Sequence, residues 1–474
     1  MRIKRYKINI IFITISVYSL YALLIGVNSY TNRHTYIITL LSWIGIISYI
    51  SLIITWEKVT GKLFTLYNIF MTFFMVFNFG QCLLWAFNIH VEGEIGTISL
   101  FGKTPISDID IIHAQLLYIV CFFTLNCGAI IAYKIRGEEG SIDDNNSYRH
   151  NKLYITSVIL SIIVIPITYY IAIYNLKLSQ VAGYRSLYYG EYANRYGPIL
   201  NILSTLFLPC LLGLLLGSRY RRSVRKFVYG IFGGYAIVTL LCGDRGEWIM
   251  KLLVLLWAEH KFYRKKLIKD VLKFGIVGYI GVHIMNAIVS LRNIGLSMSN
   301  FMSQLFSTDV SPIVSLLKEF GNSMTINIVI MENIVRFPYG NSYLMSILTM
   351  PTTGLVKIFG VNYVQLNTWF SGTYLGISYG IDFTIIAEAV LNHGKYIAPL
   401  VILIIGFIVS KIDLACGTTY NKNPLKTCLM ITAMAYIFKW PRTTTWYVLN
   451  SCFYSMTIFI SLYCILPIKR RNRL

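Results

Sequence analysis

Charge is scarce in this 474-residue chain. Only 13% of residues are charged, against about a quarter in ordinary soluble domains. Acids are scarcer still, with 20 Asp and Glu against 42 Lys and Arg, so the formal net charge is +22. A soluble nucleic-acid binder could carry that charge, but not with 56% hydrophobic residues and a mean hydropathy of +0.61. A disordered basic protein would lack the 27 Phe and 35 Tyr. Nine cysteines are too few for a disulfide scaffold. They form no CxxC pair, the histidines form no HxxxH pair, and neither a zinc site nor a structural disulfide is predicted. No P-loop or GxGxxG is present, so nucleotide-driven transport has no support. There is no repeat and no low-complexity tract.

What is abundant is hydrophobic length. A spanning helix needs roughly 20 apolar residues, because each rises about 1.5 Å through a layer about 30 Å thick. About twelve segments are candidates on that criterion, the eighth and eleventh of them short: 8–27, 36–56, 63–88, 111–133, 153–174, 198–217, 227–242, 247–259, 271–290, 394–411, 427–440 and 446–467. The runs are continuous, not alternating, which excludes an outer-membrane barrel. The predicted fold is an all-α polytopic membrane protein. Residues 1–290 form a membrane domain of nine spans, 291–393 a long outer segment, and 394–474 a membrane domain of three spans. The basic start Met-Arg-Ile-Lys-Arg-Tyr-Lys resembles a signal peptide, but the apolar run after it is longer and no small-residue cleavage site follows. It reads as a retained anchor.

With the N-terminus placed inside, 28 of the 42 Lys and Arg fall in inner connections or at inner span ends and 13 in outer connections or at outer span ends, with Lys251 inside a span. The acids divide as 8 inside and 12 outside. This bias places both termini in the cytoplasm. Most of the +22 is therefore an orientation signal, and the informative charges are the few that lie outside.

Two outer connections are long, 175–197 and 291–393. The second holds apolar stretches at 323–335 and 341–358, punctuated by Pro338, Gly340, Pro351 and Gly360. Such segments suit helices lying on, or dipping into, the outer face; an extra pair of short spans is the alternative. In the first, Tyr184, Tyr188, Tyr192 and Tyr196 recur every fourth residue and would form one helical stripe flanked by Arg185 and Arg195. The tyrosines read either as an interfacial belt or as a face for sugar rings, and the arginines as phosphate ligands.

Gly243-Asp244-Arg245-Gly246-Glu247 lies at the outer turn after the seventh span. Two glycines permit a tight turn, and an acid–Arg–acid run projects from it. Lys251 follows Glu247 by four residues, a spacing that favours an ion pair. The turn is either stitched by that pair or holds an anion. Arg292, Glu319, Arg336, Asp382, Glu388, His393 and Arg442 are also placed outside. Glu388 is a carboxylate among apolar neighbours, suited either to proton abstraction or to pinning helices together. Asp108-Ile-Asp110 matches the DxD of nucleotide-sugar enzymes, but on the outer side it reads as the start of the fourth span.

These residues resemble the Wzy-type O-antigen polymerases. The resemblance is carried in order by Gly243-Asp244-Arg245-Gly246, Glu319-Phe-Gly321, Gly340-Asn-Ser-Tyr343 ahead of Pro351, and Ala387-Glu388-Ala389 with Asn392-His-Gly394. His393 stands where an aromatic residue is expected. The resemblance implies a donor glycan on undecaprenyl pyrophosphate and an acceptor repeat unit on the same carrier, joined at the outer face of the bacterial inner membrane into O-antigen or capsular polysaccharide. It implies no cofactor, no metal and no nucleic acid, and suggests a chain-length regulator as partner. Arg245, Glu388 and Glu319 are the expected catalytic residues. Arg185, Arg195, Arg292, Arg336, Arg442, Asp244, Glu247, Tyr188, Tyr192 and His393 are the expected substrate-binding ones. A lipid-linked oligosaccharide flippase would instead place its charges at mid-membrane depth, and an O-antigen ligase would share the donor but not the acceptor.

Overall fold

The computed structural model describes residues 2–27, 34–96, 106–133, 146–182, 196–244, 246–265, 281, 311–377, 381 and 383–466. Among them there are helices and no strand. In chain order the helices are α1 (Arg2–Leu24), α2 (His34–Thr60), α3 (Leu66–Ala86), α4 (Asp108–Ala132), α5 (Asn146–Ala182), α6 (Gly197–Ser204), α7 (Phe207–Gly217), α8 (Arg222–Cys242) and α9 (Glu247–Phe262). There follow α10 (Pro312–Gly321), α11 (Met324–Glu332), α12 (Ser342–Thr349), α13 (Gly354–Lys357), α14 (Leu366–Trp369), α15 (Ile385–Thr419), α16 (Pro424–Ile437) and α17 (Thr445–Ile465).

Ten stretches among the described residues are long and apolar enough to cross a membrane. This is the polytopic helical fold that the composition implies. The two short expected spans, 247–259 and 427–440, correspond to α9 and α16, which run for only 16 and 14 residues, short of the roughly 20 that cross unaided. The expected span 271–290 lies, but for residue 281, outside the described residues. The structure differs from the sequence-based list at 313–332, which qualifies by length and composition but is broken into α10 and α11. Lys318 on α10 donates to the main-chain oxygen of Glu92, beyond the end of α3. Glu332 at the end of α11 meets His113 near the start of α4 at 3.3 Å. Asn322, at the break, accepts from Gln81. Both halves thus pack against α3 and α4.

The chain divides into two compact units. The first holds 1–137, 314–414 and 437–449, and the second 138–313, 415–436 and 450–474. The first is built on backbone contact between small residues. A Cβ added at Gly128 of α4 would stand 1.9 Å from the carbonyl oxygen of Leu403, and one at Gly406 of α15 would stand 2.0 Å from that of Leu125. Small residues at such crossings let helices approach where lipid offers no hydrophobic drive. Buried Asp413 of α15 takes the backbone N–H of Leu66 at the first residue of α3, and Thr65 caps the same end by accepting from Asn68. The start of α4 carries a capping box, with Ser107 as the cap and Asp110 answering it. The Asp108-Ile-Asp110 run is therefore a helix start, as its position implies, with the cap one residue earlier.

Candidate active site

The α15 helix is broken at Gly394, whose φ of 78° and ψ of 164° are open to glycine and costly for other residues. The break cuts off a short leading segment, Ile385–His393, that carries Glu388. Thr384 caps it by accepting from the backbone N–H of Ala387, and donates to Asn327 of α11 at 2.6 Å. Asn327 in turn donates to Tyr118 of α4. The segment is thereby fixed to both α11 and α4.

Glu388 is fully buried, with 0% exposure. Its Oε1 accepts from the Ser342 hydroxyl at 2.7 Å. Its Oε2 accepts from both the backbone N–H and the hydroxyl of Thr445, each at 2.8 Å. Behind each hydroxyl stands a further donor: Asn392 Nδ2 to Ser342 Oγ at 2.7 Å, and the indole of Trp440 to Thr445 Oγ1 at 3.0 Å. Both hydroxyls are thus turned to give their protons to the carboxylate. Three donors from Ser342 and Thr445 therefore hold its two oxygens. One side chain ties the first turn of α12, the leading segment of α15 and the first turn of α17.

Around this node the structure collects several residues singled out from the sequence. Asn341 caps α12 by accepting from Tyr343 and Leu344. The Tyr343 ring stacks on exposed His393, with centroids 6.0 Å apart and planes at 19°. The Tyr343 hydroxyl is buried and has no hydrogen-bond partner among the described residues. Burial, and then the nearby Glu388 carboxylate, push this phenol well above its ordinary pKa, so it stays a neutral donor. Arg442 lies three residues before Thr445, with its guanidinium 5.1 Å from the Phe320 ring centre and 5.7 Å from that of Phe77. Glu319 is half-buried on α10, next to Phe320. Arg336 is exposed on the α11–α12 connection.

The second unit holds the Gly243 turn. Gly243, at φ 91°, ends α8, and the N–H groups of Gly243 and Asp244 bond back to the oxygens of Leu240 and Thr239. This is a Schellman closure. Asp244 then accepts from the N–H of Gly246 at 3.0 Å, and α9 opens at Glu247. Lys251 meets Glu247 at 3.3 Å and the Tyr235 hydroxyl at 3.2 Å, so the i,i+4 pair forms as the spacing suggests. Tyr196 packs edge-on against Tyr174 at 5.8 Å. Arg245, Arg185, Arg195, Arg292, Tyr188 and Tyr192 lie outside the described residues.

Sequence reasoning found Glu388 but missed its donor Thr445 and Trp440, whose indole donates to the Thr445 hydroxyl. Both stand in the Trp440-Pro-Arg-Thr-Thr-Thr-Trp446 loop, and the run of threonines before a span was the available signal for a helix cap. Among the described residues no group of three His, Cys, Asp or Glu is placed to hold a metal ion.

The fold defines a polytopic helical membrane protein, and these two polar clusters lie at helix ends among the described residues. No individual curated protein and no solved structure matches the chain. The family model described as O-antigen polysaccharide polymerase Wzy matches residues 6–473. The chain belongs to that family, and its function is polymerisation of O-antigen repeat units.

Proposed function

We propose that the chain joins oligosaccharide repeat units carried on undecaprenyl pyrophosphate, at the outer face of the bacterial inner membrane with both termini in the cytoplasm. The observation that carries this reading is the family match over nearly the whole chain; the inner bias of Lys and Arg supports the orientation. The growing glycan is the donor and a single lipid-linked unit is the acceptor. A hydroxyl of the acceptor's terminal sugar attacks the donor's anomeric carbon, the bond to the pyrophosphate breaks, and undecaprenyl pyrophosphate leaves. The phosphoester supplies the free energy, in keeping with a chain that carries no nucleotide-binding motif.

Negative charge develops on the leaving pyrophosphate, so arginines are the residues to oppose it. Arg245 is assigned first, with Arg292, Arg185, Arg195, Arg336 and Arg442 as further ligands of the lipid-linked substrate. Asp244 and Glu247 set the turn that presents Arg245. Tyr188, Tyr192 and His393 are assigned to the glycan. Each charge-assisted hydrogen bond contributes roughly 1.5–3 kcal/mol. Two carboxylates were candidates to receive the acceptor's proton. Glu388 has no exposed surface and already accepts three hydrogen bonds, so it is assigned to hold the site together. Glu319, half-buried next to Phe320, is assigned as the base. A chain-length regulator is the proposed partner.

Purified full-length chain, given lipid-linked repeat units and no nucleotide, should build polymer visible as a ladder on a gel. Arg245→Ala should slow it by about 100- to 1000-fold, the scale of losing one transition-state donor. Glu319→Gln should slow it by about 100-fold or more, the scale of losing a general base. Both variants should keep wild-type abundance and melting behaviour. A full ladder from either variant removes that residue from the site.

A further inference from the structure

The stretch from 358 to 377 contains no Lys, Arg, Asp or Glu, yet it holds Phe359, Tyr363, Trp369, Phe370 and Tyr374. It is a different chemistry from the arginine-bearing turns. Between the rings stand neutral hydrogen-bonding residues, among them exposed Asn362, Thr368 and Thr373. Nothing in this stretch suits a pyrophosphate.

All of these rings except Phe359 are joined, with Phe337 and Tyr339, into one cluster. Phe370 and Tyr374 stack face to face, 5.3 Å apart with planes at 12°. Trp369 lies 5.9 Å from Tyr374 and 5.2 Å from Phe337. Tyr339 meets Phe337 edge-on at 5.3 Å and Tyr363 at 5.1 Å. Phe370 and Tyr374 share a π-helical turn, Phe370–Leu375, closed at Gly376 with φ 68°. Such a turn is rare and costs hydrogen-bond geometry; here it sets the two rings in a stack.

Burial is graded across the cluster. Tyr363, Trp369 and Phe370 are buried, whereas Tyr339 and Tyr374 are half-buried at its rim. Gly372, between Phe370 and Tyr374, is exposed with open space where a side chain would stand. The cluster also reaches the Glu388 segment, because Phe370 meets Phe383 edge-on at 5.4 Å, five residues before Glu388. A simple hydrophobic plug would not need exposed polar residues interleaved with its rings, as Asn362, Thr368 and Thr373 are. A surface for lipid tails would resemble Ile358 and Phe359, which stand 77% and 81% exposed.

We propose that this cluster is a binding platform for an uncharged sugar ring of the repeat unit, with Tyr339 and Tyr374 as its rim. The faces of aromatic rings carry partial negative charge and complement the C–H face of a pyranose. Asn362, Thr368 and Thr373 supply partners for its hydroxyls. The platform rests on the polymerase reading and adds to it the element that selects the sugar.

The test uses the full-length chain and lipid-linked repeat units, with binding of the free oligosaccharide measured in parallel. Tyr374→Leu should raise KM about tenfold and weaken oligosaccharide binding to match, with kcat within about twofold and the melting midpoint unchanged. Tyr374→Phe, which keeps the ring, should recover most of that loss. Phe359→Leu, an exposed ring outside the cluster, should leave KM unchanged. Tyr339→Leu gives the same reading at a second rim position should Tyr374→Leu not fold. Unchanged KM and binding in the rim variants overturns the platform alone, as does an equal loss in Tyr374→Phe. A wild-type chain that binds the oligosaccharide and never extends it overturns the polymerase reading alone.

Discussion

Glu388→Ala is expected to abolish the polysaccharide ladder by removing the folded protein, not by removing a reacting group. The substitution strands the Thr445 N–H and two hydroxyls that now give their protons to the carboxylate. An unsatisfied buried donor costs about 1–3 kcal/mol, and breaking a buried charged network about 3–5 kcal/mol. Against total stabilities of about 5–15 kcal/mol, that is a large fraction. Glu388→Asp loses a methylene and cannot reach Ser342 and Thr445 together, so it should fall between Ala and wild type. Glu388→Gln keeps the volume and one accepting oxygen, but turns an amide N–H2 toward a donor. It should cost about 1–3 kcal/mol and retain a weakened ladder in proportion to surviving protein. Melting of detergent-purified variants, followed with the ladder, checks the order. Glu388→Gln with wild-type melting and no ladder would return Glu388 to the chemistry and contradict its assignment as the tie between three helices.

Gly128→Val is expected to prevent folding although it touches no functional residue. The new Cβ would stand 1.9 Å from the backbone oxygen of Leu403, and backbone cannot rotate aside as a side chain does. Overpacking commonly costs about 1–3 kcal/mol, and more where nothing can yield. The reciprocal contact at Gly406, 2.0 Å from the Leu125 oxygen, makes Gly406→Val an independent repeat of the same experiment. Gly230→Ala is the control, since nothing lies within 4 Å of the added atom and alanine is the better helix former. Recovery of monodisperse protein should drop to background in both valine variants and hold in the control. Normal recovery of either valine variant would mean that α4 and α15 do not cross as closely as described.

Helix existence was legible in the sequence because long apolar runs leave few alternatives. The Ser107–Asp110 start of α4 was legible because its chemistry is local. The limits of 313–332 were less legible. Its composition suits a span, and only the structure shows that it breaks into two helices held by contacts with Gln81, Glu92 and His113, distant in sequence. Glu388 stood out as an acid among apolar neighbours, yet its partners are 46 and 57 residues away in the chain. Sequence could weigh base against tie but could not decide. The Glu247–Lys251 pair was the opposite case, fixed by helical spacing alone. The ring cluster escaped notice because Phe, Tyr and Trp are 15% of the chain, and membrane proteins are expected to place them at interfaces.

The central claim, that the chain extends a lipid-linked glycan and does not flip or ligate it, is tested most directly by deleting the gene and resolving the surface polysaccharide on a gel. Loss of the ladder with retention of single-repeat caps is the expected result, restored to a full ladder by the wild-type chain. Loss of the single-repeat caps as well would contradict it, because a missing flippase or ligase, and not a missing polymerase, leaves the core bare.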